Sequence, residues 1–314
     1  MKFLTGLLAG GVIGIAVFAG LVSLAVGRPM VETQGFAAAF GRKAEIAKNV
    51  EAPKILFVGG SSVDLGISAE LASQILGKPA VNFGLISPLG PEYILRKATE
   101  VARPGDLVVL ALEYYCYDWP RVSELWLDPM FVQFVAAQDR GYLQGLSPWY
   151  RWNILARVST PQLATALLRN RAREKSVIEN MNKYGDRTDN TLEARPEQAA
   201  ARSKPIDQLM EGLGDKPKGF AVVVEFLKWA KSNGVQVIAT FPNVGRNPNY
   251  QDEVLQQVEN QIRNFYEVQG VPVVGSVEGA MFAEEDCFDT PFHLIKDAVF
   301  RRTQQLAIYL SQQQ

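Results

Sequence analysis

The chain has 314 residues, with 32 Lys and Arg against 33 Asp and Glu and a formal net charge of −1 at pH 7. That length allows one large domain or two small ones, and a hydrophobic share of 47% with 21% charged residues excludes wholesale disorder. Near-neutral charge leaves no basic field to hold nucleic acid and no acidic tail for a cationic partner.

The first segment is apolar. Residues 3–27 contain no charged side chain, and about 20 apolar residues suffice to cross a bilayer as a helix, whereas the core of a secretory signal is about 7–15. Residues 1–27 are therefore expected to form one uncut transmembrane helix, although Ala25-Val26-Gly27 also reads as a cleavage triplet. Gly10 and Gly14 form a G-x-x-x-G that can seat another membrane helix, yet glycine is also simply common in such helices. Lys2 on one side and Arg28, Arg42, Lys43 and Lys48 on the other favour a cytoplasmic body, but long domains translocate largely regardless of charge.

Residues 28–52 are Ala-rich with scattered charge and read as a connector that includes a short helix. From residue 53 the pattern becomes regular. Residues 54–58 are a short apolar run ending in Gly59-Gly60, as a buried parallel strand does. Residues 68–76 read as a helix with Ser68 at its N-cap and Gly77 as its stop. Strand 80–83, helix 91–102 and strand 106–112 follow. This βαβαβ order predicts a parallel sheet covered on both faces. The alternation resumes with helix 220–233, strand 235–241, helix 252–269, strand 271–274 and helix 294–312. Between the halves lies an insert at 118–217, holding Trp119, Trp126, Trp149 and Trp152 and a polar stretch at 169–204. We expect it over the sheet's carboxyl edge as a lid or substrate wall, with the tryptophans read as core more readily than as sugar platforms.

In such a sheet, ligands bind beyond the carboxyl ends of the strands. After the first strand comes Gly59-Gly60-Ser61-Ser62, a turn that opens a serine hydroxyl toward free backbone N–H groups. A bland reading is a tight turn with a serine cap. After the second strand comes Asn82-Phe83-Gly84, where a glycine N–H can approach an oxyanion. After the third comes Glu113, and after the fourth Asn243, as a loop cap or a substrate contact. Before the last helix, Asp289 stands four residues ahead of His293, the single histidine of the chain, with Asp286 as a rival carboxylate. A serine needs a base to become a nucleophile, and the base needs a carboxylate to fix its tautomer. One histidine excludes a multi-histidine metal site, and no metal or organic cofactor is called for. Cys116 and Cys287 fit either a disulfide or two buried thiols.

These residues resemble the blocks of the SGNH/GDSL-type hydrolases, and in particular membrane-anchored DltD-like and alginate-acetylation-like proteins. Gly60-Ser61-Ser62 with Gly66 is similar to the first block, which implies Ser62 as nucleophile and Ser61 in place of aspartate; a shifted register selects Ser61 instead. Gly84 corresponds to the second block and Asp289 with His293 to the fourth, one residue more widely spaced than usual. Glu113 stands where the family has an oxyanion-stabilising asparagine, and a carboxylate there repels an oxyanion unless it points away. The resemblance covers residues 54–310 apart from the insert. It implies a flavodoxin-like three-layer α/β/α fold with a mostly parallel sheet. Its functional implication is a serine esterase or O-acyltransferase, acting on acetyl groups of an exported polysaccharide in the cell envelope. Ser62, His293 and Asp289 would be catalytic. The N–H groups of Ser62 and Gly84 would hold the oxyanion, with Asn82, Glu113 and Asn243 lining the site. The alternative is an inactive accessory protein that binds polysaccharide, or that meets a membrane acyltransferase or export complex through its first helix.

Overall fold

The computed structural model describes residues 2–25, 33–119, 129–158, 175, 177–197 and 205–313. Trp126, the Val26-Gly27 end of the cleavage triplet and part of the polar stretch lie outside them. The chain divides into two compact units: residues 1–38 with 122–177, and residues 39–121 with 178–314.

The smaller unit contains α1 (Lys2–Ala25) and, from the insert, α7 (Pro129–Gln138), α8 (Arg140–Gly145) and α9 (Pro148–Arg157). Within α1 the stretch Phe3–Leu24 has a mean hydropathy of 2.4 and none of its apolar window is buried, so it is long and apolar enough to cross a membrane. On α9, Trp149 and Trp152 are 61% and 59% exposed, so the expectation that they are core residues fails. They sit three apart on one exposed face of the helix.

The larger unit carries the sheet. Strands β1 (Ile55–Gly59), β2 (Ala80–Gly84), β3 (Leu107–Ala111), β4 (Gln236–Thr240) and β6 (Val273–Val274) lie in the order β2-β1-β3-β4-β6, all parallel. A pair of two-residue strands, β5 (Val244–Gly245) and β7 (Met281–Phe282), stands apart. Side chains alternate along a strand. Ile55, Phe57, Val109, Ala111 and Ile238 therefore share one face, packed with Ala69 and Ala72 of α4 (Ala69–Leu76) and with Leu306 and Leu310 of the closing helix α13 (Lys296–Ser311). The alternate residues Leu56, Val58, Val108 and Leu110, equally buried, face the layer of α5 (Gly90–Thr99) and α11 (Gly219–Ser232), which pack together. The larger unit also contains α3 (Ser61–Asp64), α6 (Tyr114–Tyr117), α10 (Asp207–Glu211) and α12 (Asp252–Val268). The result is the three-layer α/β/α architecture expected. Because β2 lies on one side of β1 and β3 on the other, the chain reverses direction across the sheet between them, which opens a crevice at the carboxyl ends of β1 and β3.

Two expectations need correction. The connector does contain a helix, but a longer one: α2 (Gln34–Asn49) runs 16 residues, and its part within the larger unit sets Phe40 against Phe83 and Tyr93 and buries Lys43. The insert divides between the two units, residues 122–177 in the smaller one. Residues 178–197 belong to the larger unit, where Tyr184 accepts a backbone bond from Asn82 at the sheet's edge strand.

Candidate active site

The register Gly59–Ala111 places the ends of β1 and β3 side by side, so the turn after β1 meets Glu113, two residues beyond the end of β3. Gly60 is the N-cap of α3, and its N–H donates to Glu113 Oε2 at 3.1 Å while the N–H of Ser62 donates to Glu113 Oε1 at 2.8 Å. Between them, the N–H of Ser61 donates to Ser87 Oγ at 3.2 Å. Glu113 is fully buried beneath the turn. A Cβ on Gly60 would stand 2.5 and 2.6 Å from the Glu113 carboxylate oxygens and 2.0 Å from Ser87 Oγ, so a larger residue there requires both side chains to move. Ser62 is 1% exposed and its hydroxyl has no hydrogen-bond partner. Ser61, at the first position of α3, is half-buried.

The end of β2 is a structural knot. Asn82 is fully buried; its Nδ2 donates to the carbonyls of Val63 and Ile67, and its Oδ1 accepts from the N–H of Gly84 at 3.0 Å. Lys43 reaches the same place from α2. Its Nζ donates to Asp64 Oδ1 at 2.5 Å, and to Asn82 Oδ1 and the Gly84 carbonyl at 2.9 Å each. Burial pushes the Lys43 pKa down, against the pull of Asp64. Gly84 is required by close approach, since its Cβ would lie 2.1 Å from the Asp64 nitrogen. Asn82 is thus a brace with its polar atoms spent inside the fold, not a substrate contact. The N–H groups of Ser62 and Gly84, expected to cradle an oxyanion, are both held by side-chain oxygens. Glu113 likewise faces the turn and not a substrate.

The fourth-block loop is the best-defined part. His293 Nδ1 and Asp289 Oδ1 are 2.6 Å apart, on side chains 15% and 32% exposed. The rival Asp286 is occupied by Arg301 at 2.5 Å. The backbone on each side of His293 is pinned: Asn243 Nδ2 donates to the Phe292 carbonyl at 2.6 Å, and Asn190 Nδ2 to the Leu294 carbonyl at 2.8 Å. The N–H of Leu294 donates to the carbonyl of Leu65, the C-cap of α3, at 3.0 Å. Asn243 is 2% exposed and acts as the loop tie. Sequence reading missed Lys43, Ser87 and Asn190, because each is an ordinary polar residue outside any motif.

Tyr115 stacks edge-on to Phe292 and lies against Trp119, with ring centroids 5.9 Å apart in both cases, giving this side of the site an aromatic border. Cys116 and Cys287 are both free buried thiols, not a disulfide. Burial raises both, Cys287 to about 11, so neither supplies a ready thiolate. Among the described residues, no three His, Cys, Asp or Glu side chains gather as metal ligands. The structure therefore brings Asp289 and His293 together and ties their loop to the helix that carries the serines, without a hydrogen bond to Ser62 Oγ. No protein-family model and no curated protein matches the chain.

Proposed function

We propose that the protein is a membrane-anchored serine esterase or O-acyltransferase of the cell envelope, taking acyl esters, acetyl above all, of an exported polysaccharide. The observation that carries this reading is the Asp289–His293 pair at 2.6 Å, set at the carboxyl edge of a parallel sheet and tied through Leu294 and Leu65 to the serine-bearing turn. Asp289 holds the Nδ1 proton, which leaves Nε2 as the base. A serine of the turn attacks the acyl carbonyl; His293 takes its proton and returns it to the leaving alkoxide. Water completes hydrolysis, and a sugar hydroxyl completes transfer. The resemblance of the motifs supports polysaccharide acetyl groups as substrate and a body outside the cytoplasm, with α1 as the anchor.

The test is hydrolysis of 4-nitrophenyl acetate by the full chain in detergent. We expect His293→Ala to lower kcat/KM by about 10³-fold or more, and Asp289→Asn to lower it by a similar order. A His293→Ala protein as active as wild type overturns the reading.

A second reading is an accessory protein that works by contact. It is favoured by one observation: the two N–H groups expected to be free for an oxyanion are bonded to Glu113 and Asn82. This reading expects a folded protein that no serine-directed fluorophosphonate labels.

A further inference from the structure

The first-block motif admits two registers, and the geometry points to the one that the glycine spacing disfavours. We propose that Ser61, not Ser62, is the nucleophile, with the buried Ser87 hydroxyl holding its N–H and Glu113 bracing the turn from below. This rests on the acyl-transfer reading above.

Three observations carry it. First, a nucleophile must meet its substrate, and Ser61 is half-buried at the start of α3 while Ser62 is 1% exposed. Second, the backbone N–H of an attacking serine commonly helps to hold the oxyanion. That of Ser62 is committed to a buried carboxylate at 2.8 Å, whereas that of Ser61 meets only the Ser87 hydroxyl at 3.2 Å. The Ser61 N–H is thus held by a neutral acceptor, which gives it up to a developing oxyanion more readily than a carboxylate gives up the N–H of Ser62. Third, Glu113 stops being an anomaly in this register. With Ser61 in the nucleophile position, Gly60 occupies the place of the motif's aspartate. The Glu113 carboxylate fills the space at Gly60 that a side chain there would need. The carboxylate has come from the end of β3 instead of from the turn, and it sits beneath the Ser61 N–H donor, bonded to the N–H groups on either side of it.

The base is tied to the same helix: the N–H of Leu294, next to His293, donates to the carbonyl of Leu65, which caps the helix that Ser61 begins. In the reaction, the Ser61 Oγ–acyl carbon bond forms as the Ser61 proton passes to His293 Nε2. The tetrahedral oxyanion then collapses, the ester C–O bond breaks, and the proton leaves with the alkoxide. The acyl-serine is released by water or by a sugar hydroxyl through the same steps in reverse.

The experiment is fluorophosphonate labelling of the full chain in detergent, with the adduct located by peptide mass spectrometry. It is repeated on Ser61→Ala, Ser62→Ala and Ser87→Ala, each checked for native unfolding behaviour. We expect the adduct on Ser61 and a loss of labelling rate of about 10³-fold or more in Ser61→Ala. Ser62→Ala should stay within about threefold of wild type, and Ser87→Ala, which removes only the acceptor that holds the Ser61 N–H, should fall by no more than about tenfold. Because the mapping is made on wild type, it does not depend on any variant folding. An adduct on Ser62 overturns the proposal and leaves the acyl-transfer reading standing. A folded wild type labelled on neither serine overturns both.

Discussion

A hydroxyl buried without a partner gives up its hydrogen bonds to water and receives nothing in exchange. Ser62 Oγ is such a group. Ser62→Ala is therefore expected to leave stability unchanged or to raise it by up to about 1 kcal/mol, as read by urea unfolding. Glu113 presents the opposite case, since its two oxygens satisfy two buried N–H donors. Glu113→Ala should cost about 3–5 kcal/mol, because it leaves both donors unpaired. Glu113→Gln keeps one acceptor and should cost less in the same measurement. Equal losses for the two variants would mean that the hydrogen bonds contribute little and that packing under the turn dominates.

Helix α4 shows how an element borrows its ends. Ser68 caps it in the usual way, its hydroxyl accepting from the N–H of Leu71 at 3.2 Å, and Gly77 closes it in a left-handed conformation at φ 65°. Both were legible, because caps are local chemistry. A second cap comes from far along the chain. Asp186 accepts from the N–H groups of Ala69 at 2.7 Å and Glu70 at 3.0 Å and from the Ser68 hydroxyl at 3.0 Å. Burial raises its pKa while these bonds oppose the rise. Asp186→Ala should destabilise by about 2–4 kcal/mol, against about 1 kcal/mol for Ser68→Ala, both measured by chemical denaturation. The parallel strands were readable because a strand buried on both faces must be a continuous apolar run. Residues 178–197 were not, because what fixes them is a set of long-range polar bonds: Asp186 on α4, Asn190 on Leu294, Tyr184 on Asn82. Such bonds leave no periodicity in the sequence. Lys43 was hidden for a related reason. A lysine in an Ala-rich connector looks solvated, and only its placement under β2 shows it as a buried donor with three acceptors. In the site, His293 and Asp289 were legible from spacing and scarcity. The choice between Ser61 and Ser62 was not, since it depends on which way a carboxylate at the end of β3 points.

At the scale of the whole molecule, α1 predicts that the full chain resists extraction by alkaline carbonate, while deletion of residues 1–27 releases it to the supernatant. A fully cleaved leader would leave the native protein soluble in both cases. The two buried thiols report on integrity of the larger unit. Neither should react with iodoacetamide at pH 8 in the native protein, and both should react after unfolding. Their folded pKa values lie above the unfolded thiol value, Cys287 at about 11 against 9.0. The stabilisation from keeping them protonated is thus complete below about pH 9 and is lost as pH rises through 9 toward 11. Urea unfolding at pH 8 and pH 10.5 should show that loss, and Cys287→Ala should show a smaller one. Gly60 and Glu113 carry a last consequence, for descent instead of energetics. A side chain at position 60 meets the carboxylate that position 113 supplies, so a residue gained at 60 is accommodated only if Glu113 moves or changes with it. In a lineage of such proteins the two positions should behave as a single inherited character, exchanged together between a carboxylate on the turn and a carboxylate beneath it.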